Sequence, residues 1–290
     1  MKKRTFTAVV AALLAAVTTF AFAGCKSANA EKNILVVTRE DGSGTREAFD
    51  KYAGVNADNI KSGDMQKDTV NVKTKVASVK SAIGYISLAS VDKTVKALTV
   101  DGVEPTGDNV RSGDYPIWRP FLMLTKTGVA LTPAAQDFYD YCMSTTVKTT
   151  IEGEAVLTSD FGDRAAYTVP EQPLSGSVVV NGSSSMARLM EILIEDYKKL
   201  GGSKVADVTF TQSYLGSGEG RKAVKAETND GNVIGVASSS KKDAAYEEHT
   251  LCLDAVAIIV NVNNDKITNV TAKILNDIYT GKVKKFSEIK

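Results

Sequence analysis

An α/β fold with largely parallel sheets is what this chain of 290 residues predicts, and three observations carry the prediction. Candidate strands alternate with helical segments along almost the whole length, the pattern of layered βαβ units. Three times a run of β-branched residues stops at a serine/glycine cluster that opens a helix: ILVVTREDGSGTREAF at 34–49, SVVVNGSSSMARLMEIL at 177–193 and VTFTQSYLGSGEGRKAV at 208–224. Finally, Met186, Leu189, Met190, Leu193, Tyr197 and Leu200 recur at helical spacing after Ser184, and Gly201 and Gly202 stop them.

In chain order, Lys2, Lys3 and Arg4 precede an apolar stretch from Phe6 to Phe22, closed by Ala23, Gly24 and Cys25. This reads as a signal peptide over residues 1–24, too short and alanine-rich for a stable spanning helix. FAGC resembles a lipobox with Phe22 where leucine is usual, so Cys25 is the expected lipidation site and 25–30 a linker to the membrane anchor. A cut after Ala28, Asn29 and Ala30 is the alternative and would release a soluble protein. Strands are expected at 34–38, 83–88, 121–125, 177–181, 207–211, 233–237 and 255–262. A further helix spans 271–280, capped by Thr271 and ended by Gly281. Gly162, Pro170, Pro173 and Gly176 mark 160–176 as a linker. The mature length of about 265 residues is enough for two cores of ordinary size.

Composition excludes several function classes. With 35 basic and 34 acidic residues the net charge is +1, which carries no nucleic-acid signature and no broad pull on anions. Any anion site must therefore be local. Cys142 and Cys252 remain after Cys25 without a C-x-x-C spacing, and the single histidine, His249, sits in the polar run 246–250. No metal site or cofactor is expected, the two cysteines read as small buried hydrophobes, and His249 reads as a solvated loop residue. The serine/glycine ends are informative in a different way. They put bare backbone N–H groups and hydroxyls at the positive end of a helix, which suits an anion.

Eight blocks carry a resemblance to a known family. REDGSGTREAF, AIGYISLASV at 82–91 and YPIWRPFLMLTK at 115–126 resemble the second half of the phosphate-binding receptor of the bacterial phosphate ABC importer. VVVNGSSSMARLMEILIEDYKK at 178–199, LGSGEGRKAV, NVIGVASSS at 232–240, AVAIIVN at 255–261 and ILNDIYTGKVKKFSEI at 274–289 resemble its first half. The match runs from Asn33 to Ile289, but the halves are exchanged and joined through 160–176. The chain thus resembles a circular permutant, a rearrangement that costs little extra loop-closure entropy where domain termini lie close together.

The resemblance implies a two-lobed class II periplasmic-binding-protein fold, circularly permuted, with two inter-lobe crossover strands near Arg119–Leu124 and Leu253–Ile259. One lobe would hold 31–118 plus 256–290, the other 119–255. A true permutant requires Lys290 to finish near Asn33, because a loop of about eight residues reaches at most roughly 30 Å.

The same resemblance implies the site residues. Arg39 matches the family's phosphate-binding arginine, whose planar fork of donors suits a tetrahedral oxyanion. Asp41 matches an acid that orients it, and Gly42 and Gly44 allow close backbone approach. Ser43, Gly44 and Thr45 match ligand donors of one lobe. Ser184, Ser185, Ser217 and Ser238 match those of the other. Each serine could instead be an ordinary helix N-cap. Ser238 stands where some members carry an aspartate that accepts the proton of hydrogen phosphate, so discrimination against sulfate is less secured than oxyanion binding itself. Arg46, one residue into the helix, is expected to face solvent or the far side.

The expected function is therefore an extracytoplasmic, lipid-anchored solute-binding protein. It would capture inorganic phosphate as a monomer and deliver it to the permease subunits of an ABC importer. The rival readings are a receptor for sulfate, molybdate or another oxyanion, and a surface protein that retains the fold. An enzyme is disfavoured, since no G-x-S-x-G elbow is present and GSGEG lacks the dinucleotide spacing.

Overall fold

The computed structural model describes residues 31–61 and 63–289. Residues 1–24, the stretch 25–30 with Cys25, and Lys290 lie outside the described residues. Contacts gather the described residues from Asn33 onward into one compact unit.

The first part of the chain builds β1 (Leu35–Arg39), α1 (Gly44–Ala53), β2 (Asp64–Gln66), α2 (Thr69–Ser78) and β3 (Ala82–Ser87). β1 pairs in parallel with both β2 and β3. Short strands β4 (Val95–Ala97) and β5 (Thr99–Val100) and helix α3 (Gly107–Ser112) lead into β6 (Trp118–Lys126). Helices α4 (Pro133–Cys142) and α5 (Lys148–Glu154) follow, then β7 (Ser175–Gly182), α6 (Ala187–Gly201), β8 (Asp207–Ser213), α7 (Ser217–Lys225) and β9 (Val233–Ala237). Here too the first strand is central, with β7 parallel to both β8 and β9. The long β10 (Tyr246–Asn261) comes next, followed by β11 (Asn269–Val270), α8 (Ala272–Tyr279) and a short 3-10 turn at Phe286–Glu288.

One nine-stranded sheet runs β2-β1-β3-β10-β6-β9-β7-β8, with β4 beside β10. β10 is the element that joins everything: its first part pairs antiparallel with β6 from Tyr246↔Lys126 to Ala255↔Trp118, and its last part pairs antiparallel with β3. Each end of the sheet therefore repeats one plan, three parallel strands closed by an antiparallel one. The buried side chains follow this division. Phe121, Phe138, Met190, Tyr197 and Ile234 belong to one core cluster, and Phe49, Tyr85, Tyr115, Ile258 and Tyr279 to another. In the second cluster the Phe49 and Tyr85 rings stack at 4.1 Å, a contact that fixes α1 against β3.

Local sequence signals explain most boundaries. Thr271 caps α8 by accepting from Ile274 N, and Gly281 follows it with φ 76°. α6 buries Leu189, Met190, Leu193 and Tyr197, whereas Leu200, expected on the same face, is 48% exposed because the helix overruns its core contact before Gly201. His249 lies within β10, not in a loop, and its ring meets Tyr139 edge-on at 5.4 Å. Cys142 and Cys252 are free, buried thiols of one apolar cluster, and burial raises the pKa of both. Near the C-terminus, Ile34 N donates to Lys284 O at 2.8 Å, which lays the end of the chain along the start of β1.

Candidate functional site

Three strand ends, β1 at Arg39, β7 at Gly182 and β9 at Ala237, open onto one point beside the paired Arg119 and Asp254 of β6 and β10. β1, β7 and β8 run on into α1, α6 and α7, so helix starts surround that point and add their positive ends to it. The turns demand glycine where backbones meet. A Cβ on Gly44 would sit 2.5 Å from the carbonyl carbon and oxygen of Ser238, and one on Gly182, at φ 146°, would sit 1.9 Å from the Val236 oxygen.

Arg39 is 1% exposed at the end of β1. Its Nε and Nη2 donate to Glu40 Oε2 and Oε1 at 2.7 and 2.8 Å, a bidentate fork that fixes the guanidinium plane. The remaining donors face hydroxyls: Nη2 reaches Ser184 Oγ at 3.1 Å, and Nη1 reaches Thr69 and Thr45 at 3.3 and 3.4 Å. Thr45 meets Ser185 at 3.1 Å, and Thr69 meets Ser185 at 3.2 Å. Ser238 meets Ser183 at 2.9 Å and Ser217 at 3.2 Å, and Ser217 Oγ also accepts from Ser238 N. Hydroxyls from both ends of the sheet thus form one cluster, most of it shut away from solvent.

Arg119 closes the cluster from below. Its Nε and Nη2 donate to Asp254 Oδ2 at 3.1 and 2.9 Å, while Nη1 donates to Thr45 Oγ1 at 2.7 Å and Ser238 Oγ at 3.0 Å. Both charges are nearly inaccessible, at 2% and 1% of the side-chain surface. Burial works against each of them, lowering the pKa of Arg119 and raising that of Asp254, and their mutual attraction opposes both shifts. Ser87 Oγ donates to the other Asp254 oxygen at 2.7 Å, so the carboxylate is fully engaged.

Of the residues expected from the sequence, Arg39, Gly44, Thr45, Ser184, Ser185, Ser217 and Ser238 come together. The N-cap alternative for Ser184 and Ser185 does not describe them, because Met186 occupies the cap position of α6 and their hydroxyls go to Arg39, Thr45 and Thr69. Ser43 is different: it is buried, but its Oγ accepts from Arg46 N as the cap of α1. Gly42, at φ 80°, forms the turn and faces Gly218 across the opening. Asp41 does not orient Arg39. It points outward, 90% exposed, and accepts from Arg46 Nη1 at 2.6 Å, whereas the adjacent Glu40 turns inward and takes the orienting role. Nor does Arg46 face solvent: it is 8% exposed and donates to the Arg39 carbonyl and to Asp50 as well. Thr69, Ser183, Arg119 and Asp254 were not singled out from the sequence. A signal existed for two of them, since Arg119 in IWRPFLML and Asp254 in LCLDAVAIIV are single charges inside apolar runs that need partners.

A profile of the PBP superfamily domain matches residues 7–146 and 168–288. Phosphate-binding protein PstS 2 of Streptococcus pneumoniae (strain TIGR4) is 34% identical over 273 residues, covering 90% of this chain and 89% of that protein. This chain belongs to the PstS family of phosphate-binding proteins. The same name is carried by a Streptococcus agalactiae serotype V protein that is 33% identical over 279 residues, with 92% of each chain covered. The crystal structure of a phosphate-binding protein of a phosphate ABC transporter from S. pneumoniae TIGR4 matches with TM-score 0.67 at 34% identity, across 89% of this chain and all of that one. The periplasmic-binding-protein fold expected from the sequence is thereby supported from both sides.

Proposed function

We propose that this protein captures inorganic phosphate in the cleft between the two ends of its sheet and hands it to the permease of an ABC importer. The observation that carries this reading is the buried Arg39, held by Glu40 in a bidentate grip so that its free donors face a cluster of serine and threonine hydroxyls. Each hydroxyl can turn its O–H toward a ligand, and with the guanidinium N–H groups beside them a tetrahedral oxyanion is their chemical complement. The PstS names of the relatives support phosphate as the anion. In this reading Arg39, Thr45, Ser184, Ser185, Ser217 and Ser238 contact the anion, Gly44 lets the backbone close on it, and Glu40 orients the arginine.

The finer parts of the proposal rest on the sequence. Cys25 is the lipid attachment point that would hold the protein on the outer face of the cell membrane. Among the described residues no helix is long and apolar enough to cross a membrane. The exchange of halves relative to other phosphate receptors is part of this proposal, and the S. pneumoniae and S. agalactiae relatives, aligned over about nine tenths of both chains, share this chain's order.

Melting at fixed ionic strength tests the proposal. Phosphate at about 100 times its dissociation constant raises stability by roughly 2.7 kcal/mol. A melting temperature unmoved by millimolar phosphate contradicts it, and turnover of generic phosphate or carboxylic esters would point to an enzyme instead.

A further inference from the structure

We propose that Arg119 is a second anion-binding residue of the cleft, meeting with its Nη1 edge the same tetrahedral dianion that Arg39 holds from the other side. The inference rests on the phosphate-capture reading and extends it to a residue that the sequence did not single out as a ligand.

The geometry separates Arg119 from an ordinary structural ion pair. Its bond to Asp254 occupies Nε and Nη2, which is the whole of one edge of the guanidinium fork. The remaining nitrogen, Nη1, points elsewhere, to Thr45 Oγ1 at 2.7 Å and Ser238 Oγ at 3.0 Å. Those two hydroxyls come from opposite ends of the sheet, one at the start of α1 and one beyond β9. A cation at the β6/β10 junction that reaches both can respond to an anion held between them. Arg39 is built alike: one edge is held by a carboxylate, Glu40, and the free donors face the hydroxyl cluster.

The acceptors sharpen the ligand class. Both Glu40 oxygens accept from Arg39, and the two Asp254 oxygens accept from Arg119 and Ser87. Each of these carboxylates is thus committed to its own arginine or serine. The cleft presents two guanidinium edges and a set of hydroxyls, an arrangement that rewards the most highly charged oxyanion available. Phosphate should therefore bind best as its dianion, with a serine hydroxyl accepting its remaining proton.

Deleting Arg119 alone strands a buried carboxylate, so the test removes the pair together as Arg119→Met with Asp254→Asn, a neutral replacement that buried ion pairs often tolerate. Phosphate affinity is measured by calorimetry between acid and mildly alkaline pH on wild type and the double variant. Wild-type affinity for total phosphate is expected to rise as phosphate passes from monoanion to dianion. The double variant is expected to lose roughly a hundredfold and to show a flatter pH profile. Wild-type affinity and an unchanged profile in a folded double variant overturn the role of Arg119, whereas failure of the wild type to bind phosphate overturns the proposed function itself. If the double variant does not fold, a crystal structure of the wild type with phosphate decides. Nη1 within about 3 Å of a phosphate oxygen supports the assignment, and Nη1 still bonded only to Thr45 and Ser238 contradicts it.

Discussion

Gly44→Ala isolates the close approach of the two sides of the cleft. The added Cβ would lie 2.5 Å from the backbone carbonyl of Ser238 and 2.6 Å from its Oγ, where ordinary contact begins at 3.4 Å. Backbone cannot swing aside as a side chain can, so α1 and the β9 end must part by about 0.9 Å at this point. Overpacking of this kind costs about 1–3 kcal/mol. Parting also stretches the bridge in which Arg119 Nη1 spans Thr45 and Ser238 at 2.7 and 3.0 Å, and a hydrogen bond to a charged group is worth about 1.5–3 kcal/mol. Together these predict a phosphate Kd raised roughly a hundredfold or more. Because the clash and the stretched bridge are already present without phosphate, the unliganded fold should also melt lower. Calorimetric titration gives the affinity, and thermal melting in phosphate-free buffer gives the stability. An alanine variant that binds phosphate as tightly as wild type refutes the closure geometry argued from Gly44 and Ser238.

Arg39→Ala should cost on the order of 2–5 kcal/mol of binding with the fold intact, whereas Arg46→Ala should chiefly lower the melting temperature, because it removes the cation from Asp50 and the donor from the Arg39 carbonyl; equal effects of the two on affinity at unchanged stability would refute this division. Burial raises the Asp50 carboxyl to about 6, against the opposing pull of Arg46. A raised folded-state pKa contributes stability that is complete below the unfolded value of about 3.9 and is lost as pH rises through about 6, so denaturation midpoints of Asp50→Asn should show a smaller decline than wild type across that window. Cys142 and Cys252, buried and with raised pKa values, should resist a thiol reagent in the native protein and react on unfolding, and rapid native labelling of either would contradict their burial.

The legible part of the sequence was the part governed by local chemistry. Thr271 and Gly281 bracket α8 because capping and left-handed turns depend on neighbours in sequence, and the glycine at 44 was readable because backbone approach admits no other residue. The site was legible where a strand end, a turn and a helix start coincide, as at Arg39 and Thr45. Roles set by tertiary contact were not. Glu40 and Asp41 are adjacent acids of nearly equal chemistry, and which of them meets Arg39 depends on how β1 ends against β2, where Glu40 N donates to Gln66 O. Arg46 lies at a position that an isolated helix would expose, and only the turn folded back over α1 buries it. Arg119 and Asp254 are 135 positions apart, and their pairing follows from the β6/β10 register, in which Asp254 faces Arg119 directly.

The central claim, that the hydroxyl and guanidinium cluster is a phosphate site, is tested most directly by titrating anion-free protein with phosphate in a calorimeter, alongside sulfate, molybdate and the Arg39→Ala variant. The account predicts saturable binding of one phosphate per chain that the variant loses, with any binding of the other anions lost in the same variant. No heat of phosphate binding at millimolar concentration, or phosphate binding that survives removal of Arg39 undiminished, would contradict it.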